Sequence, residues 1–339
     1  MTDVDVWEKL SVENGATAGF SRIRVAGEGS WGLFAARQQP DGRLALLLDL
    51  PTSALKRTRA DFGRSRGLEV RVDTLESGPS GTVRVVVIVG APEFRSVFVI
   101  LAGEIISEIR KCESAERALI ALLSQLTRWK RFLERFGARG LGDDAQVGLY
   151  GELLTVIELA EMVGMSAAVR AWRGPGGSPQ DFEMGDIALE VKATRGGPPH
   201  VLRISSVKQL DPPDGIQVFV RHVQLDRRRG SEATLPALVE ALRAAVDEAS
   251  PASRPELEAR LHDVGYLDAH SGDYGDVEYK PLKATLYEVR ESFPRLRRSE
   301  LPDGVGDVQY GLQLGACGDF KVGRDTLADR ISEDSNSDG

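Results

Sequence analysis

Short apolar or alternating runs fill the first hundred positions. Residues 43–50 (RLALLLDL), 68–72 (LEVRV), 82–89 (TVRVVVIV) and 95–101 (RSVFVIL) have the length of strands. Gly, Pro and Asp separate them, as in Ser77-Gly78-Pro79-Ser80-Gly81. The pattern predicts an antiparallel sheet or sandwich over residues 1–102. No cluster of titratable side chains accompanies it, so it reads as a recognition or assembly module. From about residue 103 to 136 the period lengthens: Ile105, Ile106, Ile109, Leu119, Leu122, Leu123, Leu126, Trp129, Phe132 and Leu133 recur at three- and four-residue steps. This predicts a long helix, with 103–140 as a helical connector.

Residues 140–144 break that helix, and a second is expected over about 145–164. A Gly/Pro loop (174–179) leads to a hairpin over 181–192, a strand at 200–204, a short helix from Ser206 and a strand at 216–225. Helices at about 235–249 and 255–262 follow, then strands near 277–289 and 308–314. Strands and helices interleave from residue 145 onward, so residues 141–324 read as an α/β domain. The last stretch, 325–339, carries five acids and one base and ends Ser-Asn-Ser-Asp-Gly, the composition of a disordered acidic tail.

One pattern sets a carboxylate on a core-facing stripe, and a second sets two carboxylates opposite each other. On the helix at 145–164, with Leu149 at zero and about 100° per residue, Glu152 falls near 300°, inside the arc of Val156, Leu159 and Val163. A carboxylate there is expensive unless it is paired or bound to a metal. In the hairpin, Gly185-Asp186 suits a two-residue turn with glycine first. Pairing outward sets Met184 opposite Ile187, Glu183 opposite Ala188, Phe182 opposite Leu189 and Asp181 opposite Glu190. Alternation puts Glu190 and Lys192 on one face. Facing carboxylates repel, and a hard divalent cation with oxygen ligands resolves the repulsion. The Val191 carbonyl offers one more oxygen. Lys192 is placed to hold a water or meet charge on a phosphate, which is the chemistry of metal-assisted phosphodiester hydrolysis.

Charge first argues against a nucleic-acid partner. The chain has 43 Lys+Arg, 51 Asp+Glu and a net charge of −8, where nucleic-acid binders are usually basic. The distribution changes this reading: the tail holds −4, and residues 191–230 hold eight bases and three acids, or +5. Two cysteines, Cys112 and Cys317, exclude a disulfide framework or a four-cysteine zinc site, and the four histidines lack zinc-ligand spacing. Gly174–Gly177 lacks the Lys-Ser/Thr of a P-loop. The acidic start Met1–Asp5 predicts no signal peptide, no apolar run predicts a membrane span, and a cytoplasmic location is expected.

Gly151-Glu152-Leu153, Gln180-Asp181-Phe182 and Glu190-Val191-Lys192 resemble the PD-(D/E)XK phosphodiesterase superfamily. Its pattern is an acid on one strand, Glu/Asp-x-Lys on the next, and often a Glu from the preceding helix. One departure is visible: Pro179 lies two residues before the acid. The resemblance implies a restriction-endonuclease-like mixed sheet flanked by helices. Glu152, Asp181, Glu190 and Lys192 would be catalytic, with Asp181, Glu190, Val191 and Glu152 holding Mg²⁺ or, in its place, Mn²⁺. A closer resemblance runs through Gly148–Leu153, Glu190–Thr194, Ser205–Leu210 and Phe293–Leu296, to a bacterial family of PD-(D/E)XK motif proteins. Members of that family tend to lie beside restriction-modification and phage-defence genes. It implies the β-rich N-terminal part; the expected partners are DNA and proteins from neighbouring defence genes, such as an ATPase, helicase or methyltransferase.

Glu/Asp-x-Lys occurs three times, at 190–192, 278–280 and 319–321. The last follows Pro302-Asp303 by sixteen residues and is a serious competitor, but only the first has helix, hairpin and strand in order. Downstream, Arg203, Ser205, Ser206, Lys208 and Gln209 are candidates for phosphate contact at a helix start. Ser206-x-x-Gln209 is equally a capping box, and Gln209 resembles a glutamine that some nucleases of the superfamily carry after their lysine. Arg227–Arg229 and Arg295, Arg297 and Arg298 are basic clusters suited to tracking phosphates or to plain solvation. Two alternatives stand beside the DNA endonuclease: an enzyme acting on RNA, and a catalytically silent DNA-binding or scaffolding subunit of a defence complex.

Overall fold

The computed structural model describes residues 5–10, 18–57, 67–75, 81–138, 140–174 and 178–337. The chain divides into two compact units, Met1–Gly140 and Leu141–Gly339.

The first unit opens with α1 (Asp5–Glu8), followed by β1 (Gly19–Ala26), β2 (Gly32–Gln39), β3 (Leu44–Pro51), α2 (Thr52–Arg57), β4 (Leu68–Thr74) and β5 (Thr82–Val89). These strands form one antiparallel sheet in the order β1-β2-β3-β5-β4. Apart from Asp49, the interior of β3 is buried on both faces. Asp49 is held by Arg84 at 2.6 and 2.7 Å and by Arg22 at 2.9 Å. Two helices follow, α3 (Arg95–Ile109) and α4 (Ala115–Phe136), the latter capped by Ser114.

Three features differ from the expectation. Residues 95–101 are the first half of α3, not a strand. Their β-branched residues mimic a strand locally, but the buried set Val97, Phe98, Leu101, Ala102, Ile105, Ile106 and Ile109 advances by turns of a helix. The expected single helix is therefore two. β1 and β2 escaped the pattern because Arg22, Arg24 and Arg37 interrupt their apolar positions.

The second unit contains α5 (Asp143–Val163), α6 (Met165–Ala171), β6 (Phe182–Met184), β7 (Ile187–Arg195), β8 (Val201–Ile204) and β9 (Gln217–Arg229). Next come α7 (Leu235–Ala249), α8 (Arg254–Asp263), α9 (Ser271–Tyr274), β10 (Val277–Glu288), β11 (Tyr310–Gln313), β12 (Lys321–Val322) and α10 (Arg324–Ser337). The mixed sheet has the order β12-β10-β9-β7-β6, with β7 and β9 parallel and the other pairs antiparallel. This is the α/β architecture expected, with helices on one face. On the other, β8 and β11 form a two-stranded ribbon over a core that includes Ala188, Val218, Val220, Leu202, Ile204 and Leu312.

Gly151 lets α5 approach β7. A Cβ at this position would lie 2.9 Å from Ala193 Cβ, closer than real contacts allow. The stretch expected as a disordered tail instead carries α10 as far as Ser337. Its Leu327 and Ile331, one turn apart, are buried, and Arg324 reaches Glu161 at 2.7 Å.

Candidate active site

The hairpin positions the first three groups. Gly185 adopts a positive φ of 55° at the turn, and the ladder runs Met184↔Ile187, Glu183↔Ala188 and Phe182↔Leu189, the register read from sequence. Asp181 precedes β6. Its backbone is fixed by the Arg173 amide donating to Asp181 O at 2.8 Å, and its Oδ2 accepts from the Val191 amide at 2.7 Å. The two ends of the hairpin are thus tied through the Asp181 carboxylate.

Glu190 is buried at 1% exposure on the central strand β7. Its Oε1 accepts from Lys192 Nζ at 2.6 Å and from Gln209 Nε2 at 2.7 Å. Its Oε2 is buried with no hydrogen-bond partner among the described residues. Burial first, then the charge of Asp181, push the Glu190 carboxyl well above the usual range, against the pull of Lys192. Burial likewise raises Asp181, opposed by the Val191 amide and Lys192.

Gln209 ties the group together. Its Oε1 accepts from the Ser205 amide at 2.9 Å and faces Lys192 Nζ at 3.3 Å, while its Nε2 serves Glu190. The capping box forms only in part: Ser206 Oγ accepts from the Lys208 amide across a 3-10 turn, Val207–Gln209, and the Gln209 side chain turns to the site instead. Gln180, which the sequence pattern did not single out, pins that turn by donating Nε2 to the carbonyls of Lys208 (2.8 Å) and Gln209 (3.1 Å).

Glu152 sits on α5, where its charge adds to the cost of ionising Glu190. Its Oε2 accepts from the indole of Trp172 at 2.8 Å. Trp172 is fully buried and bridges Phe182 at the start of β6, so one residue orients both the helix glutamate and the hairpin. It too was missed, because an indole donor leaves no spacing signature. Among the described residues, no three His, Cys, Asp or Glu side chains converge as a metal site. In this arrangement Lys192 neutralises Glu190 and Trp172 holds Glu152.

The remaining candidates spread outward. Arg203 is exposed on β8 and donates to Gln309 at 2.9 Å; Ser205 and Lys208 are exposed near the site. A groove of about 890 Å³ beside the hairpin is lined by Gln180, Ile187, Ser206, Lys208 and Arg298. The competing motifs do not assemble. Asp303, Asp319 and Lys321 are exposed, and Glu278 accepts from the Glu232 amide at 2.7 Å, beyond the far end of β9. Arg227 is drawn to Asp143 (3.1 Å), Arg228 to Asp226 (2.5 Å), and Arg295 to the Leu210 carbonyl.

Residues 4–315 match the family DUF4420, described as "Putative PD-(D/E)XK family member". The chain belongs to this family. No curated protein and no solved structure matches it. The matched span includes residues of both units. Divalent metals are typical of PD-(D/E)XK nucleases, and the acid–Glu-x-Lys group lies within the matched span. No helix among the described residues is long and apolar enough to cross a membrane.

Proposed function

We propose that this DUF4420 chain is a metal-dependent phosphodiesterase that cuts DNA internally, within a bacterial restriction or phage-defence system. The observation that carries the reading is the buried Glu190 carboxylate. One oxygen is held by Lys192 and Gln209, and the other is buried beside Asp181 without a hydrogen-bond partner among the described residues. An unsatisfied buried oxygen costs free energy, and a cation relieves it. Asp181, Glu190 and the Val191 carbonyl fit a hard ion such as Mg²⁺ or Mn²⁺, which binds through one or two carboxylates and keeps waters. Bound there, the ion supplies Lewis acidity toward a phosphate oxygen and acidifies water.

The chain's own groups do the rest. Asp181 and Glu190 hold the charge in place. Lys192, 15% exposed at the edge of the site, offers Nζ to the charge that grows on the phosphate. Gln209 keeps Lys192 and Glu190 in register, and Trp172 fixes Glu152, whose carboxylate can assist the same ion or a second one. Exposed Ser205, Lys208 and Arg203 can contact neighbouring phosphates. The defence role rests on the gene neighbourhoods of the resembling family, with an ATPase, helicase or methyltransferase as partner. A net charge of −8 fits an enzyme that relies on such a partner to hold its DNA.

The test is cleavage of plasmid DNA and of RNA with Mg²⁺ or Mn²⁺, alone and with products of neighbouring genes. Activity on DNA that is lost in Lys192→Ala and in Asp181→Ala supports the proposal. Activity retained in both variants refutes it. A second reading, a silent nuclease-fold subunit that binds or scaffolds, is favoured by the Lys192–Glu190 ion pair at 2.6 Å and by the lack, among the described residues, of three His, Cys, Asp or Glu side chains grouped to hold a metal. Calorimetry showing no Mg²⁺ or Mn²⁺ binding, with stable association to a partner, would decide for it.

A further inference from the structure

The face of the sheet that carries Lys192 does not stop at the site. Across the three central strands, Lys192, His222 and Thr285 form one row; Thr194, Gln224 and Lys283 form the next; then Asp226 with Lys280, and Arg228 with Glu278. Residues in register share a face, and successive rows lie about 7 Å apart along the strands. Lys280 and Lys283 are three positions apart, so regular alternation would send them to opposite faces. A one-residue bulge between Pro281 and Lys283 corrects this and brings both lysines onto the Lys192 face.

This stretch is open. Residues 280–284 are all exposed, and β12 pairs only with Leu286 and Tyr287, so β10 has a bare edge beside them. Lys280 and Lys283 form no ion pair among the described residues. The two carboxylates on the path are already engaged: Asp226 with Arg228 at 2.5 Å, and Glu278 with the Glu232 amide at 2.7 Å. The cations left over on this face, Lys283 and Lys280, therefore continue it outward from Lys192.

We propose that this face of β9 and β10 is the track for one arm of the nucleic-acid strand whose phosphate reaches Lys192, with Lys283 and Lys280 contacting successive phosphates beyond it. The occupant follows from charge complementarity and from continuity with the site, and it rests on the nuclease reading for its identity. Lysines and a proline also keep a bare edge from pairing with another chain. That role predicts aggregation on their removal and no change in nucleic-acid affinity.

The experiment is fluorescence anisotropy with a labelled single-stranded oligonucleotide and its duplex. It is run without divalent metal over a series of KCl concentrations, so cleavage plays no part. Lys280→Glu/Lys283→Glu is expected to weaken binding on the order of tenfold at low salt. It should also flatten the plot of log affinity against log salt by about 1.4 (single strand) to 1.8 (duplex), the loss of two phosphate contacts. Lys280→Arg/Lys283→Arg should keep both. Circular dichroism and size-exclusion chromatography check that each variant is folded and monodisperse. The double Glu variant binding with unchanged affinity and slope overturns the track, as does a wild-type chain that binds neither oligonucleotide. Asp181→Ala separates the two readings: it should lose cleavage and keep the wild-type slope. A flattened slope in the double Glu variant of a chain that never cleaves would leave the track standing and the nuclease reading refuted.

Discussion

Gln209 donates its side-chain amide to Glu190 Oε1 over 2.7 Å, and its own Oε1 faces Lys192 Nζ at 3.3 Å. One amide therefore aligns the acid and the base of the Glu-x-Lys pair, and its rotamer is set from behind by the Ser205 amide. Groups that orient a ligand or catalytic residue typically matter 10–100-fold. Gln209→Ala should lower cleavage on the order of 10–100-fold and raise the metal concentration needed for half-maximal rate, with little change in thermal midpoint. Rate measurements over a metal titration check this.

Asp181 adds to the cost of charging Glu190, and both carboxyls are raised by burial. A carboxyl whose folded pKa lies above its unfolded one stabilises the fold below the unfolded pKa and loses that contribution as pH rises through the folded one. Asp181→Asn removes one charge and keeps an acceptor for the Val191 amide. In metal-free buffer at neutral pH it should raise the melting temperature by about 2–4 °C, the shift for roughly 1 kcal/mol in a domain of this size. The gain should vanish in acid, where the wild-type carboxyl is protonated. Differential scanning fluorimetry across pH reads both.

His222 shows the opposite sign. It is 3% exposed, its Nε2 lies 2.7 Å from Thr194 Oγ1, and burial, His200 and Lys283 lower its pKa to about 4. The unfolded chain takes up this proton near pH 6.5 and the folded chain does not, so stability falls between about 6.5 and 4. At the limit this amounts to about 3 kcal/mol. His222→Gln should flatten the loss over that window, as seen in urea unfolding midpoints at stepped pH. An unchanged slope would remove His222 as its source.

Gly151 is the residue that lets α5, and with it Glu152, close on β7. Gly151→Ala should cost about 1–3 kcal/mol, the usual range for overpacking, and reduce cleavage together with stability. Trp172→Phe removes the indole donor to Glu152 Oε2 and should cost on the order of 1 kcal/mol. Chemical denaturation measures each.

The hairpin was legible because its logic is local. A glycine-first turn and strict alternation fix which residues face one another, and the register followed over the three pairs from Met184–Ile187 to Phe182–Leu189, while Asp181, outside the ladder, caps the Val191 amide through its side chain. α5 followed for the same reason; the burial of Glu190 did not, because the apolar residues of β7 alternate to the other face. What the pattern hid lies across the sheet or between elements. Trp172 and Gln180 act through an indole and an amide that sequence spacing does not mark. His222 meets Lys192 only because β7 and β9 pair in parallel, thirty residues apart in the chain. The misread strand at 95–101 shows the converse: seven apolar-rich residues fit either period, and only the burial of Ile105, Ile106 and Ile109 further on decides for a helix. α10 was hidden by its acids, since two buried residues, Leu327 and Ile331, hold it.

The most direct measurement of the central claim is cleavage of supercoiled plasmid by the purified chain, with its neighbouring gene products, in Mg²⁺ or Mn²⁺ and in chelator. The account predicts nicking or linearisation that requires the metal and disappears in both Lys192→Ala and Asp181→Ala, with each variant still folded by circular dichroism. Cleavage that persists in chelator, or in both variants, would contradict it.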